Sequence, residues 1–458
     1  VLTLLALAQF MLVLDVTVVN VALPTIRTEL GLERETLTWV VAAYSLTFGG
    51  FMLLGGRLAD GFGPRRTLLV GLAVFTAASL AAGVAGGGPL LIAGRVAQGL
   101  GAALLSPAAL AMLAATFQGE DRDRAFGVWA AIGGAGSAMG VLIGGLLTSG
   151  PGWRWVFFVN VPVGLLVLIV LPMLLPAVRG EAAHDRRLDV PGAIAVTAGT
   201  ALLVIGLVRA GDAGWLSPWT LVPLGLAVLA YLVFAVVERR SSAPLIRPDL
   251  IARRPVVAGA FVMLVASSLM LAYFFLSSLY LQGILGFSAL RTGLIFLPIA
   301  ISVGIGAQLA SRLVGHIGGK PIGLAGFALV AIGGGFLSGL TGRPSSYTTL
   351  LTGFMIAAFG IGPLFVTALR TTLANVPQAQ AGLASGVVNT FHELGGAIGV
   401  AVLSTAAASS IAVNATSAKG FGNAFLAAAV TAAVCAVVAF GLLPPGRPAG
   451  NGHVGRHH

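Results

Sequence analysis

Charge is what this 458-residue sequence lacks: Asp, Glu, Lys and Arg make up 9% of it, against about 25% in an ordinary soluble domain. So few charges cannot cover a water-facing surface, which excludes soluble enzymes, nucleic-acid binders and disordered scaffolds. Cysteine occurs once, as Cys435 inside an apolar run, which removes any disulfide framework and any thiolate site for zinc, haem or iron–sulfur. Lysine occurs only at Lys320 and Lys419, and no Gly-x-x-x-x-Gly-Lys-Ser/Thr stretch exists, so nucleotide hydrolysis is not the expected energy source. No cofactor, metal or catalytic residue is called for. No segment resembles a cleavable signal peptide; Val1 opens directly into an apolar run, and His457 and His458 look like the remnant of a purification tag.

What is abundant is apolar surface: 57% of residues are hydrophobic and the mean hydropathy is +0.99. Runs of about 20 apolar residues, long enough to cross a bilayer, follow one another along the chain. They fall at 2–23, 36–56, 67–86, 89–115, 125–149, 155–175, 189–209, 218–237, 255–281, 292–315, 321–341, 346–372, 382–411 and 422–443. The expected fold is an all-α polytopic membrane protein with fourteen transmembrane helices.

The net charge of +11 would raise the question of a polyanion, but the arginines sit in short clusters between the spans. With the N-terminus inside, 18 of the 26 basic residues fall in inner loops and the tail, 7 in outer loops, and Arg95 within a helix. That bias follows the positive-inside rule and places both termini in the cytoplasm. There is also an internal repeat. The stretch 56–65, GRLADGFGPR, follows the second run, and a degraded copy at 311–320, SRLVGHIGGK, follows the tenth. Two six-helix bundles place these loops equivalently if the runs near 189–237 are an inserted hairpin, and parallel repeats of this kind build rocking transporters. The expected units are an N-terminal bundle at 1–176, linkers with the inserted hairpin at 177–249, a C-terminal bundle at 250–443 and a cytoplasmic tail at 444–458. The hairpin is expected to lie outside the transport path.

Among fifteen acids, only Asp15 and Glu393 fall deep within spans; Arg95 is the one cation there, and His392 adjoins Glu393. A charge at that depth costs about 2.5–3.5 kcal/mol or more unless paired or hydrated, so such residues mark a pathway. At 1.5 Å per residue, Asp15 lies ~20 Å from the inner face and Arg95 ~9 Å from the outer face of a ~30 Å core. The two are at similar heights and can pair; an ion pair serving only the fold is the alternative. Glu393 lies ~16 Å deep, near the midplane, with His392 turned about 100° away from it. Polar and aromatic residues on the same helices are candidates to line a cavity: Tyr44, Gln98, Asn160, Tyr273, Phe274, Tyr280, Gln282 and Asn389. Aromatic faces suit bulky, partly apolar or cationic ligands. For each aromatic taken singly, core or lipid packing is the competing reading. Trp39, Trp153, Trp155, Trp215 and Trp219 stand near span ends, where interfacial anchors belong.

Several stretches resemble, in order, the motifs of the fourteen-helix drug:proton antiporters of the major facilitator superfamily. The stretch 14–24, LDVTVVNVALP, is similar to that branch's first-helix motif, and 56–66 to the superfamily's loop between helices 2 and 3. Residues 95–101, RVAQGLG, resemble the fourth-helix arginine motif; 136–145, GSAMGVLIGG, the fifth-helix antiporter motif; and 153–164, WRWVFFVNVPVG, a stretch associated with this branch. The antiporter motif usually has proline where Val141 stands.

The resemblance implies an Asp15–Arg95 pair. In the loop motif, Asp60 with Arg65 and Arg66 is expected to form a cytoplasmic latch between bundles, Gly56 and Gly63 allowing close approach. Gly136, Gly140, Gly144 and Gly145 are expected to give α-helices a smooth seam on which the bundles rock.

The function expected is proton-coupled export of hydrophobic or cationic drugs or natural products across the bacterial cytoplasmic membrane. Glu393 is the expected proton carrier, with Asp15 shared between Arg95, a cationic substrate and a proton. Its partners are then a small-molecule substrate, protons and membrane lipid, with no nucleic acid, and a monomer suffices. Proton-coupled import or uniport of a small solute, and lipid translocation, are the alternatives on the same fold.

Overall fold

The computed structural model describes residues 1–174, 190–241, 253–343, 346–373, 381–408 and 418–444, apart from some side chains within helices, Asp60 among them. These residues are helical almost throughout. The first bundle comprises α1 (Leu2–Leu30), α2 (Arg34–Phe62), α3 (Pro64–Gly83), α4 (Gly88–Thr116), α5 (Gly119–Ser149) and a sixth span broken into α6 (Trp155–Phe158) and α7 (Asn160–Leu174). An inserted pair follows, α8 (Val190–Ala213) and α9 (Pro218–Arg240). The second bundle comprises α10 (Arg254–Leu279), which runs into a π-helical turn (Tyr280–Ile284), then α11 (Ala289–Ile317), α12 (Gly319–Leu337), α13 (Ser346–Leu373), α14 (Ala381–Ala406) and α15 (Lys419–Leu442). Among the described residues thirteen helices are long and apolar enough to cross a membrane, and the 31-residue α5, whose apolar stretch is Met139–Ser149, completes the fourteen.

Lipid offers no hydrogen bonds to the backbone, so each apolar run folds as a helix that satisfies its own peptide groups. Several helices outrun their apolar cores. α1 continues past Pro24 to Leu30, where Gly31 ends it in a left-handed conformation (φ 63°). The loop repeat carries the same device twice. Gly63 between α2 and α3 and Gly318 between α11 and α12 both adopt positive φ, 92° and 84°, so each pair of helices turns on one glycine.

Within the first bundle α1 packs on α5, α2 and α3 on α4, and α3 on α7; within the second, α10 packs on α13 and α14, α11 and α12 on α13, and α12 on α15. The bundles meet along two lines, α2 against α14 and α5 against α11, with α1 touching α10 between them. The inserted α8 covers the first line. The Arg34 guanidinium donates to the Val208 carbonyl (3.0 Å) and the Thr405 hydroxyl to the Leu207 carbonyl (2.7 Å), so α8 holds one residue of each bundle. α9 packs on α8 and turns Val222, Val228, Leu229 and Leu232 outward, as a lipid-facing helix does. Trp155, Trp215 and Trp219 are exposed near helix ends. Trp153, expected beside them at the interface, is instead buried, its indole N–H donating to Glu29 at 2.8 Å.

Candidate functional site

Asp15 sits in the middle of α1 with no exposed surface. Its Oδ2 forms an ion pair with the Arg95 guanidinium, and its Oδ1 accepts from Gln98 Nε2 (2.9 Å) and Asn160 Nδ2 (3.0 Å). Arg95 and Gln98 are three residues apart on α4, which puts both on one face and explains why the fourth-helix motif carries them together. The network extends outward: Gln98 Nε2 also reaches Ser79 Oγ on α3 (2.8 Å), and Arg95 Nε donates to the Val40 carbonyl on α2 (2.9 Å). The Tyr44 ring lies 4.3 Å from the guanidinium carbon, a cation–π contact. Gly99, next in the motif, lets α2 come this near, since a Cβ there would meet the Tyr44 carbonyl at 2.5 Å.

Every partner of Asp15 belongs to the first bundle. Gln98 and Asn160, read from the sequence as cavity-lining, are instead buried donors to Asp15. With both carboxylate oxygens taken and no surface exposed, Asp15 offers a cationic substrate no access in this state.

Glu393 is placed differently. It projects from α14 of the second bundle against α2 of the first, on the face of α2 that carries Ser45 and Gly49. α2 makes room with Gly49, whose place a Cβ could take only by coming within 2.7 Å of Glu393 Cβ. Tyr44 and Ser45 are thus consecutive on α2, the first lying over Arg95 and the second facing α14. His392 turns away toward α13, its ring edge-on to Phe365 at 5.4 Å.

The remaining cavity candidates disperse. Tyr273 stacks on Phe425 (5.3 Å) inside the second bundle, Phe274 packs on Phe296 and Phe354, and the Tyr280 hydroxyl donates to the Thr341 carbonyl. Gln282 donates to the Val21 carbonyl at 2.8 Å, a bond between bundles near their outer ends. Asn389 alone of the eight is exposed. It shares a stripe of α14 with Gly396, seven residues on, which is enclosed by Ser45, Leu271 and Ser267 from α2 and α10. The space between the bundles is therefore filled at Gly396, and Asn389, about 10 Å along the helix toward its N-terminus, is exposed. At the outer ends the bundles are joined: besides Gln282, the Leu290 N–H donates to Ser149 Oγ (2.9 Å) and the Thr38 hydroxyl to Ser404 Oγ (3.3 Å).

The motif glycines of α5 divide their work. A Cβ would meet Val13 from Gly136 (3.1 Å), Thr17 Oγ1 from Gly140 (1.8 Å) and Val18 from Gly144 (3.0 Å), all on α1 of the same bundle rather than on the expected seam. Only Gly145 faces the other bundle, where a Cβ would meet the Ala289 carbonyl and Leu290 Cα at 2.9 Å, and the Val141 carbonyl stands 2.5 Å from a Cβ placed on Gly293. Gly145→Val is therefore expected to wedge the outer closure open. A cysteine replacing the buried Val21, in a Cys435→Ala background, should resist an impermeant maleimide applied from outside and become reactive when Gly145→Val is added. Unchanged protection would show that α5 and α11 do not gate the outer side.

On the loop between α2 and α3, Arg65 Nη2 donates to the Pro172 carbonyl of α7 at 2.8 Å, a bond within the first bundle, while Arg66 is exposed. Gly56 has only Pro107 Cβ within 4 Å of a Cβ, at 3.9 Å. The close approach expected there belongs to its neighbour Gly55, where a Cβ would meet the Ala103 carbonyl at 1.9 Å. Gly63 serves the turn. The Asp60 side chain, and with it the acidic half of the expected latch, lies outside the described residues.

Comparison with known proteins bears on this geometry. The sequence pattern of the Major Facilitator Superfamily matches residues 5–400. The chain belongs to the major facilitator superfamily. Among curated members of similar sequence are the puromycin resistance protein of Streptomyces alboniger and the cephamycin export protein of Amycolatopsis lactamdurans. The first is 39% identical over 87% of this chain and 79% of that protein. The second is 39% identical over 94% and 90%. The tetracenomycin C resistance and export protein of Streptomyces glaucescens is 33% identical over 89% and 76%. Among solved structures, an auto-inhibited peptide transporter of the POT family superposes with a TM-score of 0.67 at 17% identity, covering 96% of this chain and 95% of that one. A D-xylose–proton symporter gives 0.63 at 15% identity over 97% of each. These likenesses confirm the major facilitator fold: a multi-pass membrane transporter.

Two residues of the site were missed in the sequence, Ser45 and Ser79. Nothing separates them from the many other hydroxyl residues of these helices until the neighbouring helices are in place. The one usable signal for Ser45 is Gly49 one turn away, a small residue marking a face that another helix crosses.

Proposed function

We propose that this superfamily member is a proton-driven exporter of hydrophobic or cationic drugs or natural products, working in the bacterial cytoplasmic membrane with both termini inside. The relatives named for resistance and export support the direction. The observation that carries the coupling is the packing of Glu393, on α14 of the second bundle, against Gly49 on α2 of the first, because that contact crosses from one bundle to the other. A carboxyl that drives alternating access must change surroundings as the bundles rock, and a group at a moving seam does so. Asp15, held wholly by its own bundle, does not. Glu393 takes a proton while the outer side is open and gives it up toward the cytoplasm past the exposed Asn389, one helical turn away. Substrate entering from the cytoplasm by the same route favours that release, and the unprotonated, loaded protein turns outward.

The test is a substrate-panel efflux assay in cells lacking their own pumps, paired with dye movement in inverted vesicles under an imposed pH gradient. Export that stops when the gradient is collapsed supports the reading. Substrate movement in the same direction as the protons makes the protein an importer, and gradient-independent movement makes it a uniporter.

A further inference from the structure

Arg312, His316 and Lys320, the basic residues of the second loop copy, take no part in the proposed transport cycle. Arg312 and His316 stand one turn apart at the end of α11, both exposed, so they share one face of it. That face runs back through Leu309, Ile305, Ile301 and Leu294, each about half exposed, at the spacing of a single helical stripe. It is turned away from both neighbours of α11. Gly306 packs on α13, where a Cβ would meet the Phe359 carbonyl at 2.2 Å, and Gly293 packs on α5. A continuous stripe of large aliphatic side chains that faces no other helix faces lipid. From Leu294 to Arg312 it is ~27 Å long, close to the ~30 Å hydrocarbon core, so its cations fall at the level of lipid headgroups. Lys320, two residues beyond the Gly318 turn, stands at the same membrane edge. Its Nζ lies 3.9 Å from the ring centroid of Phe440, which is itself exposed.

These cations are uncompensated. Among the described residues no carboxylate pairs with any of the three, and none of them donates a hydrogen bond. Arg254, at the same end of α15 as Phe440, is by contrast engaged, donating to the Gly441 and Leu442 carbonyls. The first loop copy carries an acid among its arginines, Asp60; the second, SRLVGHIGGK, has none. We propose that the second loop copy is a binding site for an anionic phospholipid, whose headgroup phosphate supplies the counter-charge this copy lacks. The acyl chains lie along the α11 stripe. The Arg312 guanidinium takes the phosphate through two parallel N–H donors, His316 adds a third from the next turn, and Lys320 stands at the edge of the site. Loop cations that serve only to orient the chain need charge alone, not this alignment with a lipid-facing stripe.

The test reads the lipid at the stripe and is independent of Glu393. The full-length protein carrying Cys435→Ala and Leu309→Cys is labelled with bimane and reconstituted in phosphatidylcholine bilayers. Quenching by brominated phosphatidylglycerol is then compared with quenching by brominated phosphatidylcholine. The anionic lipid should quench several-fold more than its mole fraction predicts. Arg312→Gln should weaken that preference about fivefold, and adding Lys320→Gln should remove most of what is left. A label at Leu294→Cys, at the other end of the stripe where Arg291 is stacked on Phe287 at 3.6 Å, should show no preference. Equal quenching by the two lipids at Leu309→Cys leaves the cations as topology signals and overturns the site. An equal preference at both labels assigns it to net charge, with the same consequence, as does a preference that survives both substitutions. Loss of the preference on adding inorganic phosphate would make this a site for the free anion. Absence of quenching by either lipid would place the stripe against protein instead.

Discussion

Glu393→Gln is expected to reduce proton-driven efflux to the level of passive leak while leaving substrate binding nearly intact. Glutamine fills the same space beside Gly49, so the α2–α14 contact survives. What is lost is the capacity to carry a proton across the seam. Binding measured by fluorescence quenching in detergent should vary with pH in the unsubstituted protein and be nearly flat in the variant. Counterflow exchange without a gradient should persist, since it needs the bundles to rock but not to move protons. Transport against a gradient at the unmodified rate would move the proton site to Asp15 or His392.

The second large effect separates folding from transport at Asp15 and Arg95. Arg95→Met leaves a buried carboxylate facing only Gln98 and Asn160, and breaking a buried pair on one side costs about 3–5 kcal/mol. The expected result is a steep fall in folded protein, read as monodisperse yield and thermal midpoint. Asp15→Asn combined with Arg95→Met removes both charges, and neutral replacements for a buried pair are often tolerated. The double variant should therefore regain most of the lost stability but not efflux. If it transports like the unsubstituted protein, the pair serves the fold alone.

That distinction matters because this pair was the most legible part of the site. In a lipid-spanning chain each buried charge is costly, so a lone aspartate in α1 and a lone arginine in α4 stand out, and helical rise places them at one height. The loop repeat was legible for a similar reason: a tight turn between two helices needs a positive φ, and the glycines at 63 and 318 supply it in both halves. Helix number and order followed from hydropathy alone, with helix ends off by as much as seven residues where α1 runs on to Leu30.

Direction around each helix was not legible. In a soluble helix a polar stripe tells which face is buried, but here apolar residues cover both the lipid face and the packed face. Gln98 and Asn160 could therefore be read as lining a cavity when they close around Asp15, and Gln282 when it ties the outer ends together. The glycines of α5 posed the same ambiguity, since small residues every fourth position suit any neighbour, and only the packed structure assigns three of them to α1 and one to α11. The amino-acid sequence by itself determined that this chain crosses the membrane fourteen times and which few charged groups it keeps inside, because bilayer thickness and the cost of burying charge act on each segment separately. Only the tertiary structure decided that Asp15 is locked within one bundle while Glu393 spans two, because that depends on which helices become neighbours and on the azimuth at which they meet.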